Sequence, residues 1–145
     1  MIVRSLASVA FLAFVALLTA CGGGKSKIDT PPPADGVSGV VNEITPQDAL
    51  PRVQAAYAQF VDVRTPQEYA AGHAVRAINI PLEELPSKLD RLEKNEPVYI
   101  ICQTGRRSRE AGEILLKNGY PWVFSVTGGT SAWQTAELPM EGVRP

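Results

Sequence analysis

The residues best suited to chemistry are one cysteine and the glycine and three arginines that crowd behind it. They lie in Val98-Tyr99-Ile100-Ile101-Cys102-Gln103-Thr104-Gly105-Arg106-Arg107-Ser108-Arg109. The apolar run before the cysteine predicts a buried strand. Ser108 opens a segment with helical spacing through Ala111, Ile114 and Leu115. The thiol therefore ends a strand and faces the start of the next helix, the place where open α/β sheets bind ligands. Backbone N–H groups at a helix start have no intrahelical partner and carry partial positive charge, so they hold anions. Together with arginines they favour thiolate over thiol, moving a cysteine from about 8.5 into a range of roughly 3.5 to 7.5. The thiolate is the nucleophile. Gly105 tolerates the positive φ that a ring of inward-pointing N–H groups requires. A cysteine after an apolar run can equally be buried and inert. What favours the nucleophile is the cluster Arg106, Arg107 and Arg109, which opposes the helix dipole and suits a small anionic substrate.

Cys102-x-x-Gly105-x-Arg107-Ser108 resembles the active-site loop of the rhodanese family of sulfurtransferases, in its single-domain form. From Cys102 to Arg107 the loop spans six residues. Related phosphatases of that fold carry a loop one residue longer; the shorter one suits a sulfur atom and the longer one phosphate. Asp62-Val63-Arg64-Thr65-Pro66-Gln67-Glu68-Tyr69-Ala70-Ala71-Gly72-His73, with Ala77-Ile78-Asn79-Ile80-Pro81 after it, resembles the first signature region of the family. Val126-Thr127-Gly128-Gly129 with Trp133 resembles the second. The resemblance covers nearly all of residues 41–143 and none of 1–40. It departs at Ala74-Val75-Arg76, where the family usually has an Ile-Pro-Gly-like turn.

The resemblance implies a rhodanese-like α/β fold, a mostly parallel five-stranded sheet with helices on both faces. It implies sulfur transfer with no metal or organic cofactor. Cys102 would take the sulfane sulfur of an anionic donor, thiosulfate or polysulfide, and pass it from a persulfide to cyanide or a thiol. Gln103, Thr104, Gly105, Arg106, Arg107 and Ser108 would form the substrate- and persulfide-binding loop. N–H groups from Gln103 to Arg107 would cradle the sulfur, Arg106 and Arg107 would neutralise the donor, and Ser108 would cap the helix. A persulfide carrier serving a dedicated protein partner is the alternative. A phosphatase or arsenate reductase on the same fold is a further one, against which the loop length weighs. Asp62 and Arg64 are expected as supporting residues at the catalytic edge, with Asp62 paired to Arg64 or to a loop arginine as a structural ion pair. His73 is a signature residue of the fold, away from the sulfur. Glu68 is explained as a cap, and Trp122 and Trp133 as core or rim aromatics.

The remaining segments must position that loop. Thr45-Pro46-Gln47-Asp48 starts a helix that Pro51 should break or kink, with Val53, Ala56 and Tyr57 able to resume it. Phe60–Val63 is a strand, Thr65–Glu68 a capping box before a short helix, and Ala77–Ile80 a strand. Leu82, Leu85, Leu89 and Leu92 predict an amphipathic helix over 82–93, kinked at Pro86. A helix from Ser108 to Asn118, a strand at Trp122–Val126 and a final short helix around Trp133 follow. Strands separated by helices give a mostly parallel sheet covered on both faces.

With 145 residues, 45% of them apolar, the chain can build one core without disulfides. A net charge of −1 gives no ground for a nucleic-acid partner. Residues 1–20 read as an export signal whose apolar run, Leu6 to Leu18, is 13 residues long. A membrane span needs roughly 17–25. Leu18-Thr19-Ala20-Cys21 matches the bacterial lipobox, which implies cleavage before Cys21 and lipid on its thiol. An ordinary signal peptide or an uncleaved anchor are the alternatives. A lipidated Cys21 could not pair with Cys102, although two cysteines in an exported chain would otherwise suggest a disulfide. Residues 21–40, with Gly22-Gly23-Gly24 and Pro31-Pro32-Pro33, form a tether, and 41–145 the domain. The expected location is the bacterial cell envelope, facing the periplasm, with Gly22 favouring the outer membrane.

Overall fold

Strand β5 (Val98–Ile101) is the hub of the computed structural model, which describes residues 39–56 and 58–142. The export signal, Cys21, most of the tether and Tyr57 lie outside those residues. All four residues of β5 are buried, as a strand covered on both faces requires. Val98 and Ile100 pack with Ala111 and Leu115 on one side. Tyr99 and Ile101 pack with Phe60 and Trp133 on the other. Around β5 the sheet has five parallel strands. Strand β6 (Val123–Val126) and β1 (Asn42–Ile44) lie to one side, β2 (Gln59–Asp62) and β4 (Ile78–Asn79) to the other, giving the order β1-β6-β5-β2-β4. A second, antiparallel pair joins β3 (His73–Ala74) to β7 (Met140–Glu141). The chain leaves β2 toward β4 and leaves β5 toward β6. The crevice where these paths diverge is a topological switch point, and Cys102 lies at it.

The helices differ in places from what their spacing suggests. Helix α1 (Pro46–Val53) runs through Pro51 without a break and ends two residues later, so Ala56 is outside it. Helix α2 (Pro66–Ala70) has the expected capping box between Thr65 and Glu68. Residues 82–93 do not form one helix. They make two short 3₁₀ turns, Leu85–Ser87 and Leu89–Arg91. Pro86 has no N–H to donate and disfavours helical geometry at Leu85, yet the leucines still reach the core. Helix α3 is Arg106–Lys117, starting two residues before Ser108. The chain turns at Gly105, whose φ of 98° is open to glycine, so Ser108 sits inside the first turn rather than capping it. At the departure from the family pattern, Arg76 holds a φ of 67° where a glycine would be at ease. The turn forms regardless, with the Ala77 N–H donating to Ala74 O. Helix α4 (Gly129–Thr135) carries the buried Trp133.

The end of β2 is latched to the thiol loop. Asp62 is fully buried and accepts from Arg64 Nε at 3.0 and 2.9 Å and from Nη2 at 2.7 Å. Arg64 also donates to Gly72 O at 2.7 Å and reaches Gln103 Oε1 at 3.4 Å. One guanidinium thus ties β2, the approach to β3 and the loop after β5. Replacing Asp62 with alanine strands a buried cation, and a broken buried pair costs about 3–5 kcal/mol. Urea denaturation of Asp62→Ala should show a loss of that order. A loss under about 1 kcal/mol would remove Asp62 from its role as the latch.

Candidate active site

The Cys102 side chain is 1% exposed and is enclosed by its own loop. Its sulfur accepts the Gly105 N–H at 3.1 Å. Burial pushes the thiol upward, but the Ser108 N–H, the Ser108 hydroxyl and the Thr104 and Gly105 N–H groups outweigh it. The net shift lies below the ordinary value. The Ser108 hydroxyl stands 3.7 Å from the sulfur. Within the expected loop, the groups that draw the thiol down are those of Thr104, Gly105 and Ser108. The Gln103 side chain donates to Ser131 Oγ at 2.9 Å. In helix terms the sulfur stands where a capping side chain would. Gly105 occupies the N-cap without a side-chain acceptor, and the Ser108 N–H at the helix start is among the groups that draw the Cys102 thiol down.

The three arginines separate. Arg107 makes a bidentate pair with Glu68, Nη2 to Oε1 at 2.7 Å and Nη1 to Oε2 at 2.9 Å. Glu68 is thus more than a cap. Its bond to Arg107, opposed by burial and reinforced by the Thr65 N–H and hydroxyl, holds its pKa near about 2. Arg109 turns away to an exposed pair with Glu43. Arg106 is exposed, and its side chain forms no hydrogen bond or ion pair among the described residues. The thiolate is consequently favoured by N–H and O–H dipoles, and the open cation beside the loop is Arg106.

The loop is clamped from behind by α4. The Thr130 N–H donates to Cys102 O at 2.7 Å and the Ser131 N–H to Gln103 O at 3.2 Å. Gly129 makes this approach possible: a Cβ there would lie 2.2 Å from Cys102 O. In the sequence Gly128-Gly129 looks only like a turn, and the clamp is visible only in the fold. Ser125 is likewise not singled out by the sequence motifs. It is a lone hydroxyl in an apolar strand, and its Oγ lies 2.7 Å from Ser108 Oγ. His73 stacks on Tyr69, its Nδ1 lies 3.0 Å from Tyr69 O, and its Nε2 faces Glu141. These partners give it a structural place in the β3–β7 corner. Trp133 is core, with Nε1 donating to Pro139 O. Two clefts flank the loop. One, of about 470 Å³, is lined by Thr104, Gly105, Arg106, Arg109, Ser125 and Thr127 among others. The other, of about 200 Å³, includes Thr65, Pro66, Leu82 and Arg107. Among the described residues no group of three or more His, Cys, Asp or Glu could hold a metal.

Gly129→Ala should cost at least about 2 kcal/mol in denaturant unfolding, from overpacking and a left-handed alanine. A neutral result would mean the clamp can shift. Glu68→Gln tests the Arg107 pair. The Glu68 carboxyl titrates lower when folded than its ordinary 4.5, so its contribution is complete above that value and fades as pH falls toward about 2. At neutral pH the variant should lose roughly 1 kcal/mol, a modest figure because both side chains are partly exposed. The difference between parent and variant melts should close between pH 4.5 and about 2. A gap independent of pH would contradict the pairing.

Comparison with known proteins agrees with this geometry. The profile of the Rhodanese-like domain matches residues 45–136. The chain is 40% identical over 76 residues to the Uncharacterized protein YqhL of Bacillus subtilis (strain 168), covering 52% of this chain. It spans 60% of that relative's length. A rhodanese-related protein from Thermoplasma volcanium aligns with a TM-score of 0.63 and 32% identity, covering 70% of this chain and 98% of the other. A Rhodanese-like domain protein from Staphylococcus aureus aligns with a TM-score of 0.59 and 37% identity, covering 64% and 91%. The parallel five-stranded sheet, the loop at its switch point and the matched profile agree: the chain belongs to the rhodanese-like domain family.

Proposed function

We propose that this protein is a sulfurtransferase that moves a sulfane sulfur from thiosulfate or a polysulfide to cyanide or a thiol through a persulfide on Cys102. The observation that carries the proposal is a buried thiol enclosed by a six-residue loop, with the Gly105 N–H 3.1 Å and the Ser108 hydroxyl 3.7 Å from the sulfur, donors that favour the thiolate. The Cys102 thiolate attacks the outer sulfur of thiosulfate. The S–S bond of the donor breaks, sulfite leaves with the electron pair, and Cys102 carries a persulfide anion. Cyanide or a second thiolate attacks the outer sulfur next, forms thiocyanate or a new persulfide, and returns Cys102 as the thiolate. Each step exchanges one S–S or S–C bond for another, so no outside oxidant enters, and ping-pong kinetics follow. The Thr104, Gly105 and Ser108 donors face the charge in both states, as an oxyanion hole faces oxygen. Arg106 draws the anionic donor to the loop. On this proposal lipid at Cys21 tethers the domain to the bacterial cell envelope, facing the periplasm, and the tether spaces it from the outer membrane.

Burial of Cys102 favours a second reading, a persulfide carrier that hands its sulfur to a protein partner. Intact mass of the chain, before and after thiosulfate and beside Cys102→Ser, tests the shared chemistry. The parent should gain one sulfur, about 32 Da, that cyanide removes and the variant never acquires. The steady-state rate with cyanide then separates enzyme from carrier. No adduct with thiosulfate or polysulfide on a free thiol would sink both readings. Turnover of an aryl phosphate by the native protein would move the assignment to a phosphatase.

A further inference from the structure

Two buried hydroxyls stand in line behind the nucleophile. Ser108 Oγ lies 3.7 Å from the Cys102 sulfur, and Ser125 Oγ lies 2.7 Å behind it. Ser108 is fully buried and Ser125 is 3% exposed. Ser125 comes from β6, lies under the first turn of α3, and borders the larger cleft. The geometry points to Ser125 as a positioning residue that keeps the Ser108 hydroxyl proton available to the Cys102 sulfur.

Proton counting carries the argument. Ser108 has one hydroxyl proton and three neighbours: the sulfur, Ser125 Oγ and the Gly105 carbonyl at 2.9 Å. The carbonyl can only accept. While Cys102 is a thiol, its S–H can point to Ser108 Oγ and the Ser108 proton can go to Gly105 O. When Cys102 is a thiolate, the favourable place for that proton is on the sulfur. Gly105 O is not abandoned, because it also accepts the Arg109 N–H at 3.2 Å. Ser108 Oγ gives its proton to the sulfur more strongly when another donor's proton occupies one of its lone pairs. Ser125 is that donor, and a hydroxyl that accepts a hydrogen bond donates a stronger one. A Ser108 proton pointed at Ser125 would be lost to the sulfur.

The charged group facing the sulfur is Arg107 from its own loop, which is in turn held by Glu68 from α2 and feels Asp62 from β2. Arg106 is exposed at the rim of the loop, and Arg64 is held by Asp62. From β6 and α4 the facing groups are Ser125 and Thr130, both neutral. Removing the Ser125 hydroxyl therefore leaves every charge in place, and a change in thiol titration reports on hydrogen bonding.

The inference rests on Cys102 as the nucleophile of the proposed function. Its test uses iodoacetamide, which donates no sulfur, so its failure is distinguishable from failure of the persulfide experiment. The full chain and Ser125→Ala are alkylated across pH, with the product read on the peptide containing Cys102. In Ser125→Ala the midpoint should move to higher pH and the rate at pH 7 should fall about two- to fivefold, while the limiting rate at high pH stays unchanged. Ser108→Ala should shift the midpoint further. The double variant should match Ser108→Ala, because Ser125 acts through Ser108. An unchanged midpoint in Ser125→Ala, a rate loss equal at all pH values, or a double variant shifted beyond Ser108→Ala overturns the inference. Should the alanine variant melt early, Ser125→Thr decides it: a midpoint like the parent's supports the role, and one displaced upward refutes it.

Discussion

The start of helix α3 needs an acceptor for its unpaired N–H groups, and the Cys102 sulfur supplies it. Most helices meet this need with a serine, threonine, aspartate or asparagine at the N-cap. Here the N-cap is Gly105, which has nothing to offer. The sulfur accepts the Gly105 N–H, and the Thr104 and Ser108 N–H groups also favour its charged form, so the start of the helix and the thiolate share their contacts. Burial alone would keep the thiol protonated. The helix start reverses that preference, and the helix is better capped when the sulfur is charged. Structure and reactivity are therefore coupled through the same atoms.

This coupling changes the part the arginines play. Arg107, six residues into the motif, is matched by Glu68, so its charge is spent mainly on joining α2 to α3. It still faces Cys102, but within an ion pair. Arg106 carries the uncommitted charge. On the proposed function, thiolate formation and donor capture fall to different groups, backbone and hydroxyl donors for the first and Arg106 for the second. Asp62 and Arg64 serve neither directly. They hold the β2 end against Gly72 and Gln103, so the floor of the crevice stays fixed while the rim remains open.

Much of this was legible in the residues. The apolar run into Cys102 and the glycine and arginines behind it marked the strand, the loop and the helix start that follow, because these depend on local chemistry. Thr65 and Glu68 revealed their capping box for the same reason. What failed depended on tertiary placement. Leucine spacing over 82–93 correctly marked a core-facing stripe, but Pro86 allowed only 3₁₀ turns to present it. Ser108 looked like an N-cap by residue type, yet Gly105 turns the chain earlier. The second role of Glu68, the clamp at Gly129 and the partner of the Ser125 hydroxyl could not be read locally. Each depends on an element distant in sequence: Arg107, the Cys102 carbonyl and Ser108 respectively.

The same clamp bears on what the loop can hold. To cradle a tetrahedral oxyanion, the loop would have to widen around several oxygens instead of closing on one sulfur. Widening means moving the Cys102 and Gln103 backbone outward, and both carbonyls are held by the N–H groups of Thr130 and Ser131. The contact leaves no slack, since even a methyl group at Gly129 would collide with Cys102 O. On the other side, Ser108 is fixed by Gly105 O and Ser125. A larger ring therefore needs an added residue, because rearrangement would break backbone hydrogen bonds on both sides. A persulfide asks for less: one more sulfur beyond Cys102, with its charge facing donors that already converge. Loop length and the rigidity of its support argue in the same direction, toward sulfur and away from phosphate.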